Sequence, residues 1–305
     1  MSILVVGSVA YDDVETPSAK RKRQLGGSAT YFAYAAAHFA PTRLVAVVGR
    51  DFEQEHVALL RERGVDLEGL EVAEGKSFAY GCRYEDDMNV RVTHFTDLNV
   101  FADFHPKLPR SYRDSELVFL ANIHPELQHE VLDQMNRPRL VACDTMNLWI
   151  ETAREPLERL LGRIDVLMIN DEEARLLTGE RNLPRAARRL LAMGPQRLVI
   201  KRGEYGVVMF SADGVFTAPA YPLEDVFDPT GAGDTFAGGF IGSLARSGAL
   251  DEDAMRRAVI HGSAMASFAV EDFSLDRLVR LSDEELRRRV RGFRDLSCFH
   301  DPEIE

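Results

Sequence analysis

Six short runs along the chain are apolar at every position: Ile3–Val6, Leu44–Val48, Leu117–Leu120, Leu140–Cys143, Val166–Ile169 and Leu198–Ile200. Side chains alternate between the two faces of a strand, so a run without polar interruption predicts a strand covered on both sides. Between these runs lie stretches of helical spacing: Ala29–Phe39, Glu53–Arg63, Leu127–Met135, Thr152–Leu161, Asp171–Leu177 and Arg185–Met193. Strands alternating with helices predict βαβ units, and so an α/β fold with a mostly parallel sheet.

The rhythm changes twice. After Leu198–Ile200, "GVVMFSADGVFTAPA" places Asp213-Gly214 between two apolar stretches and predicts a hairpin. Long helices are expected to follow, near Asp234–Ser247 and Asp251–Phe268. Residues 76–104, "KSFAYGCRYEDDMNVRVTHFTDLNVFADF", alternate with period two about an Asp-Asp-Met-Asn turn and are rich in Phe and Tyr. They predict an inserted β-flap, with 13–25 as a companion strand, although an ordinary edge hairpin of the main sheet has the same pattern. The expected division is a main α/β domain of 1–12, 26–75 and 105–305, with a β-stranded lid of 13–25 and 76–104. Exposed aromatic strands pair readily across subunits, which prompts a homodimer through the lid.

Composition narrows the partners. The 305 residues are 45% hydrophobic and 28% charged, with a formal net charge of −12. That balance suits a soluble globular protein and disfavours nucleic acid or an anionic membrane surface as a partner. No apolar run approaches the roughly 20 residues of a membrane span. The opening "MSILVVGSVAYDD" lacks the basic start of a secretory leader. Cys82, Cys143 and Cys298 are far apart and odd in number, so neither zinc nor a disulfide framework is expected. The expectation is a reduced, cytoplasmic protein.

The chemistry concentrates in "DVFDPTGAGDTFAGGF", residues 225–240. A Walker A loop needs a Gly-Lys-Ser/Thr ending that is absent, and a dinucleotide fingerprint needs a glycine where Phe236 stands. An anion hole fits better. Gly231, Ala232 and Gly233 carry almost no side chain, so their N–H groups can converge at a helix start, where the dipole favours negative charge. Asp234 then reads as a base that accepts the proton of an attacking hydroxyl. Simple N-terminal capping by the same Asp is the competing explanation.

"DPTGAGDTFAGGF" resembles the C-terminal signature of the ribokinase, or phosphofructokinase-B, family of carbohydrate kinases. Other segments are similar to the family's in the same order: "VVGSVAYDD" with Asp12, "GGSATYFAYAAAHF" with Gly26-Gly27, "INDEEARLL" with Asn170 and Glu173, and "IKRGEYG". The resemblance covers essentially the whole chain. It implies a three-layer α/β/α fold with a small β lid, and an ATP- and Mg²⁺-dependent kinase acting on a hydroxyl of a small molecule. In that role Asp234 is the general base and the 231–233 amides stabilise the phosphoryl group in transit. Asp12, Gly26, Gly27 and Tyr31 would hold the acceptor. Asn170 and Glu173 act around nucleotide and metal, Glu173 orienting water on Mg²⁺. Lys201, Gly203, Glu204, Gly206 and, weakly, His261 near the adenine would line the nucleotide side. Asp228 and Thr230 match positions that hold a monovalent cation, K⁺, in several relatives.

The acceptor stays open. Ribokinases proper carry Gly-Gly-Lys-Gly-Ala-Asn where this chain has Gly26-Gly27-Ser28-Ala29-Thr30-Tyr31, so two ribose-holding residues are replaced. "CDTMNLWI" keeps Asp144 but lacks the arginine of ketodeoxygluconate-type relatives. A small sugar or polyol is the first expectation and a nucleoside the second. A silent nucleotide or sugar sensor of the same fold is the third. Arg91, in the flap, is positioned by its chemistry to approach a carbonyl or anionic group.

Overall fold

The computed structural model describes residues 1–298. All six apolar runs are strands: β1 (Ile3–Val6), β4 (Thr42–Gly49), β8 (Leu117–Leu120), β9 (Leu140–Asp144), β10 (Val166–Asn170) and β11 (Arg197–Lys201). Each divides its residues between two cores. Ile3, Val5, Leu117, Phe119, Val166 and Met168 face one cluster, and Leu4, Val6, Val118, Leu120, Leu167 and Ile169 face the other. This is the period-two geometry that makes an uninterrupted apolar run stable only between two helical layers.

Three more strands complete the main sheet: β5 (Val65–Ala73), β12 (Val207–Ser211) and β13 (Gly214–Ala218). Its order is β13-β12-β11-β10-β9-β8-β1-β4-β5, parallel except for the hairpins at the β12 and β13 end. The sequence pattern passed over β5, whose "VDLEGLEVA" alternates polar and apolar because it is an edge strand open on one side.

One face carries α1 (Ser28–Ala36), α2 (Gln54–Glu62), α8 (Ala232–Ser247), α9 (Glu252–Ala269), the single-turn α10 (Asp276–Val279) and α11 (Asp283–Ser297). The other carries α3 (Pro125–Gln134), α4 (Asn147–Thr152), α5 (Arg154–Leu161), α6 (Asp171–Thr178) and α7 (Leu183–Ala192). The helix expected over Thr152–Leu161 is α5, starting two residues later, and α4 before it was not expected. Helix α8 fits beneath α1 because it is glycine-rich. A side-chain carbon on Gly238 would lie 2.4 Å from Phe32 O, and one on Gly242 2.8 Å from the Phe39 ring. Among the described residues no helix is long and apolar enough to cross a membrane.

The flap forms a sheet of its own, so the edge-hairpin alternative is set aside. Strands β2 (Ala10–Glu15), β3 (Lys20–Gly26), β6 (Phe78–Tyr84) and β7 (Arg91–Asp97) are ordered β3-β2-β6-β7. Two boundaries move. The companion segment is two antiparallel strands, and β2 begins at Ala10, which puts Asp12 inside the lid sheet. Residues 99–103 leave the lid as a short 3₁₀ turn. Phe78, Phe101 and Phe104 stack in a row with centroids 5.4 Å apart and anchor the base of the lid to the main domain. Most flap aromatics therefore serve packing.

Candidate active site

The carboxyl ends of β9, β10 and β11 and the start of α8 meet beneath the lid. Helix α8 opens with Gly231 in the left-handed region at φ 73°, a conformation that favours glycine, and its first helical residue is Ala232. Asp234 is therefore the third residue of the helix and not its start. The Ala232 N–H already donates to Pro229 O at 3.2 Å, and the first turn closes from Thr235 N–H to Gly231 O at 2.8 Å. The N–H groups of Gly231, Gly233 and Asp234 have no hydrogen-bond partner among the described residues. They leave a set of donors aimed where a helix N-terminus attracts an anion. The expected amide trio thus shifts: Ala232 is engaged, and Asp234's own N–H takes its place.

Tyr31 stands under this turn. Its ring would lie 2.4 Å from a side-chain carbon on Gly231, and the residue is 2% exposed. Tyr31 thus props the anion loop, and its phenol lies within reach of the charges of Asp12, Asp228 and Asp234.

Asp12 belongs to the cleft. A side-chain carbon on Gly26 would come 2.0 Å from Asp12 Oδ2, so only glycine leaves the carboxylate room. Gly27 N-caps α1 at φ 94° with Ser8 O only 2.5 Å from where a side-chain carbon would sit. Burial, then the nearby charge of Asp228, pushes the Asp12 pKa up to about 7. Burial and the charge of Asp144 push Asp234 up to about 8, with Lys201 and Arg91 pulling the other way.

Asn170 and Glu173 make a reciprocal capping box at the start of α6: Asn170 Oδ1 accepts the Glu173 N–H at 2.8 Å, and Glu173 Oε2 accepts the Asn170 N–H at 2.9 Å. The ordinary capping explanation for this pair is therefore correct as local structure. It still leaves Glu173 Oε1 and the Asn170 amide nitrogen uncommitted. Burial and Asp144 raise the Glu173 pKa to about 7.

Lys201, at the end of β11 opposite Asn170, reaches the centre itself. Its Nζ donates to Asp144 Oδ2 at 2.8 Å and stands 3.0 Å from the position of a side-chain carbon on Gly233. Burial alone would lower the Lys201 pKa, but Asp144 and Glu173 more than offset it and the net shift is upward. The ammonium stays charged beside the anion turn.

The nucleotide-side turn Gly203–Tyr205 is exposed, and the lid tip reaches it: Asn89 Nδ2 donates to Glu204 Oε1 at 3.4 Å. Gly206, at φ 85°, has Ala218 O 2.2 Å from its would-be side chain and is fixed by that approach. Nearer the centre, Thr230 Oγ1 donates to Tyr84 Oη at 3.2 Å, joining β6 to the anion loop. Tyr84 was legible only as a flap aromatic. Arg91 leans over the Tyr80 ring, 5.8 Å from its centroid, and its charge acts on Asp12, Glu173 and Asp234 together. Asp228 is 1% exposed, and its carboxylate accepts the Thr230 N–H at 2.8 Å.

His261 does not join this group. Its ring lies against Ser243 and Arg246 near the far end of α8, nine residues beyond Asp234 or roughly 13 Å along the axis. The imidazole leans toward the start of its own helix, away from the anion turn.

The raised carboxylates carry a stability cost with a definite sign. In the unfolded chain Asp12, Glu173 and Asp234 are ionised above about pH 5, whereas the folded chain holds their protons to about pH 7, 7 and 8. The folded state therefore loses stability as pH rises through that window. Denaturant unfolding of the ligand-free protein should show lower stability at about pH 8.5 than at about pH 6.5, and Asp234→Asn should lessen the decline. A wild-type profile rising across this range would contradict the placement of these groups.

Comparison with known proteins agrees with this architecture. The model of the pfkB family of carbohydrate kinases matches residues 2–278. A cytidine kinase from Thermococcus kodakarensis is 31% identical over 260 residues, covering 83% of this chain and 91% of the relative. A nucleoside kinase from Methanothermobacter thermautotrophicus is 29% identical over 88% of this chain and 89% of its own length. Among solved structures, a putative ribokinase II from E. coli in complex with ATP and Mg²⁺ superposes with TM-score 0.79 at 18% identity, over 95% of this chain and 99% of that one. The Burkholderia thailandensis nucleoside kinase in complex with inosine gives TM-score 0.76 at 22% identity, over 95% and 97%. The chain belongs to the pfkB family of carbohydrate kinases and is a phosphotransferase of the ribokinase-like fold.

Proposed function

We propose that this protein transfers the γ-phosphoryl group of ATP to a ribose hydroxyl of a nucleoside. The observation that carries the transfer is Asp234, held in the first turn of α8 beside uncommitted N–H donors and the Lys201 ammonium. A carboxylate with its pKa near 8 is matched to taking a proton from a hydroxyl at neutral pH, because its basicity is high while it still ionises. The fixed N–H groups stabilise the charge on the phosphoryl oxygens without reorganising as the transfer proceeds. Lys201 adds a positive charge on the same side, and Asp144 holds it there.

The sequence put a small carbohydrate first and a nucleoside second. The two relatives at 31% and 29% identity, named as cytidine and nucleoside kinases, favour the reverse order. The site is consistent with that preference. Asp12 offers a carboxylate for hydroxyls, the lysine and asparagine of ribokinases proper are absent, and Tyr80 presents a ring in the lid. Aromatic rings stack on a flat base more readily than on a free sugar.

Glu173 and Asn170 fit a Mg²⁺ that keeps its waters and phosphate oxygens, since each has one polar atom left for the cleft and no group of three ligating side chains is found among the described residues. Mg²⁺ would supply charge neutralisation for the phosphates. Asp228 and Thr230 suit a K⁺ ion, because the Asp228 carboxylate is buried, accepts the Thr230 N–H and has no basic side chain paired to it among the described residues. The lid's outer strand β7 is exposed along its whole length, including Val92 and Phe95, and supports pairing of two subunits through their lids.

The direct test is ADP release with Mg-ATP over a panel of ribonucleosides, ribose, other sugars and polyols. Nucleosides should exceed free sugars in kcat/KM by at least about tenfold, and a sugar at the head of the panel would reverse the assignment. Asp234→Asn should lower kcat by about 10³-fold or more while ATP still binds, and near-normal turnover would exclude the base role. The same assay in potassium should run faster than in tetramethylammonium, and equal rates would remove the cation from Asp228. Light scattering at micromolar concentration should give a dimer; a monomer would remove the lid interface.

A further inference from the structure

Far from the transfer centre, α1, α8, α9 and α11 enclose a cleft of about 260 Å³ lined by His38, Arg246, His261, Asp283, Leu286, Arg287, Val290 and Arg291. Asp234 and Arg246 are twelve positions apart in α8, roughly 18 Å along its axis, so the two sites stand at opposite ends of one helix. The protein as a whole is strongly acidic, yet three of the eight lining side chains are arginines and one is an acid.

His261 holds Arg246 of the cleft lining, and His38 holds Arg63, which is not part of that lining. Arg63, from the end of α2, contacts His38 Nδ1, and Asp283 Oδ1 lies 2.9 Å from His38 Nε2. Arg246 lies 3.2 Å from His261 Nε2, and His261 Nδ1 is within 3.0 Å of Ser243 Oγ and Arg257 O. An imidazole that accepts from a guanidinium on one nitrogen and donates on the other is neutral. Burial accordingly lowers the pKa of His38 to about 4 and shifts that of His261 downward. The histidines thus orient Arg63 and Arg246 and add no charge of their own.

Arg287 and Arg291 are four residues apart on α11, on the same stripe as Asp283, Leu286 and Val290. Both are exposed, and neither makes a hydrogen bond or ion pair among the described residues. That contrasts with Arg277 and Arg289, which pair with Glu271. Asp283 is already against His38. The cleft therefore combines the oriented Arg246 guanidinium, two arginine heads without an acidic partner among the described residues and an apolar strip from Leu286 to Val290. Guanidinium groups match phosphate oxygens in geometry as well as charge.

We propose that this cleft is a second anion site, which takes the phosphate group of a small organic phosphate of the nucleotide class and rests its apolar part on Leu286 and Val290. The site is separate from phosphoryl transfer and stands or falls independently of which acceptor the enzyme uses.

The test is calorimetric titration of the full-length protein and of an Arg287→Gln/Arg291→Gln variant with inorganic pyrophosphate and, separately, with ADP. The substituted side chains are exposed and outside the transfer centre, so an unchanged melting temperature and turnover should accompany the variant. The wild type should show a binding event whose Kd rises at least tenfold in the variant and which weakens with salt. A wild-type Kd for ADP at least tenfold below that for pyrophosphate at this site identifies an organic phosphate resting on the apolar strip. Equal wild-type affinities for the two identify the phosphate group alone as the ligand and overturn the apolar part of the assignment. Superimposable isotherms for wild type and variant with both ligands overturn the site.

Discussion

Too many carboxylates share one low-dielectric cleft, and most of its construction answers that constraint. After burial, the charge of Asp144 raises the pKa of both Glu173 and Asp234, Asp12 adds to the shift of Asp234, and Lys201 and Arg91 are the cations that act against these shifts. Isolated buried charges are expensive, and paired ones are tolerated when geometry is good. Lys201 and Asp144 supply such a pair at 2.8 Å, sited where β9 and β11 end on either side of β10. Stability is given up locally where these carboxylates share burial.

The carboxyl ends of parallel strands are the natural place for this concentration. Each βα turn leaves a helix N-terminus facing the same edge of the sheet, so the N–H groups of α6 and α8 point into one crevice. Asn170 and Glu173 are absorbed in closing the α6 end by reciprocal capping. The α8 end carries no side-chain cap, and Gly231 turns the chain so that small residues surround the opening. The two helix starts differ in what they leave unsatisfied: one is sealed by its own side chains, and the other keeps donors for a ligand.

How far the sequence reached follows from what kind of signal each residue carries. The apolar runs revealed the central strands because burial on both faces leaves no polar positions. Edge strand β5 was passed over because one open face restores an ordinary alternation. Asp234 and the glycines before it were legible because a phosphate turn needs small residues at fixed spacing. That Tyr31 packs under Gly231, and that His261 leans toward the start of α9, are tertiary facts without local signature. The Lys201–Asp144 pair joins residues 57 apart in sequence, and only the strand order β9-β10-β11 brings them together.

Strand β2 pairs with β3 and β6 within the lid and also carries Asp12 on its third residue. The lid is thus not a cover hinged over a finished pocket, because one wall of the pocket is woven into it. Any displacement of the lid that carries β2 also displaces the Asp12 carboxylate relative to Asp234, so the cover and this wall of the cleft share one strand.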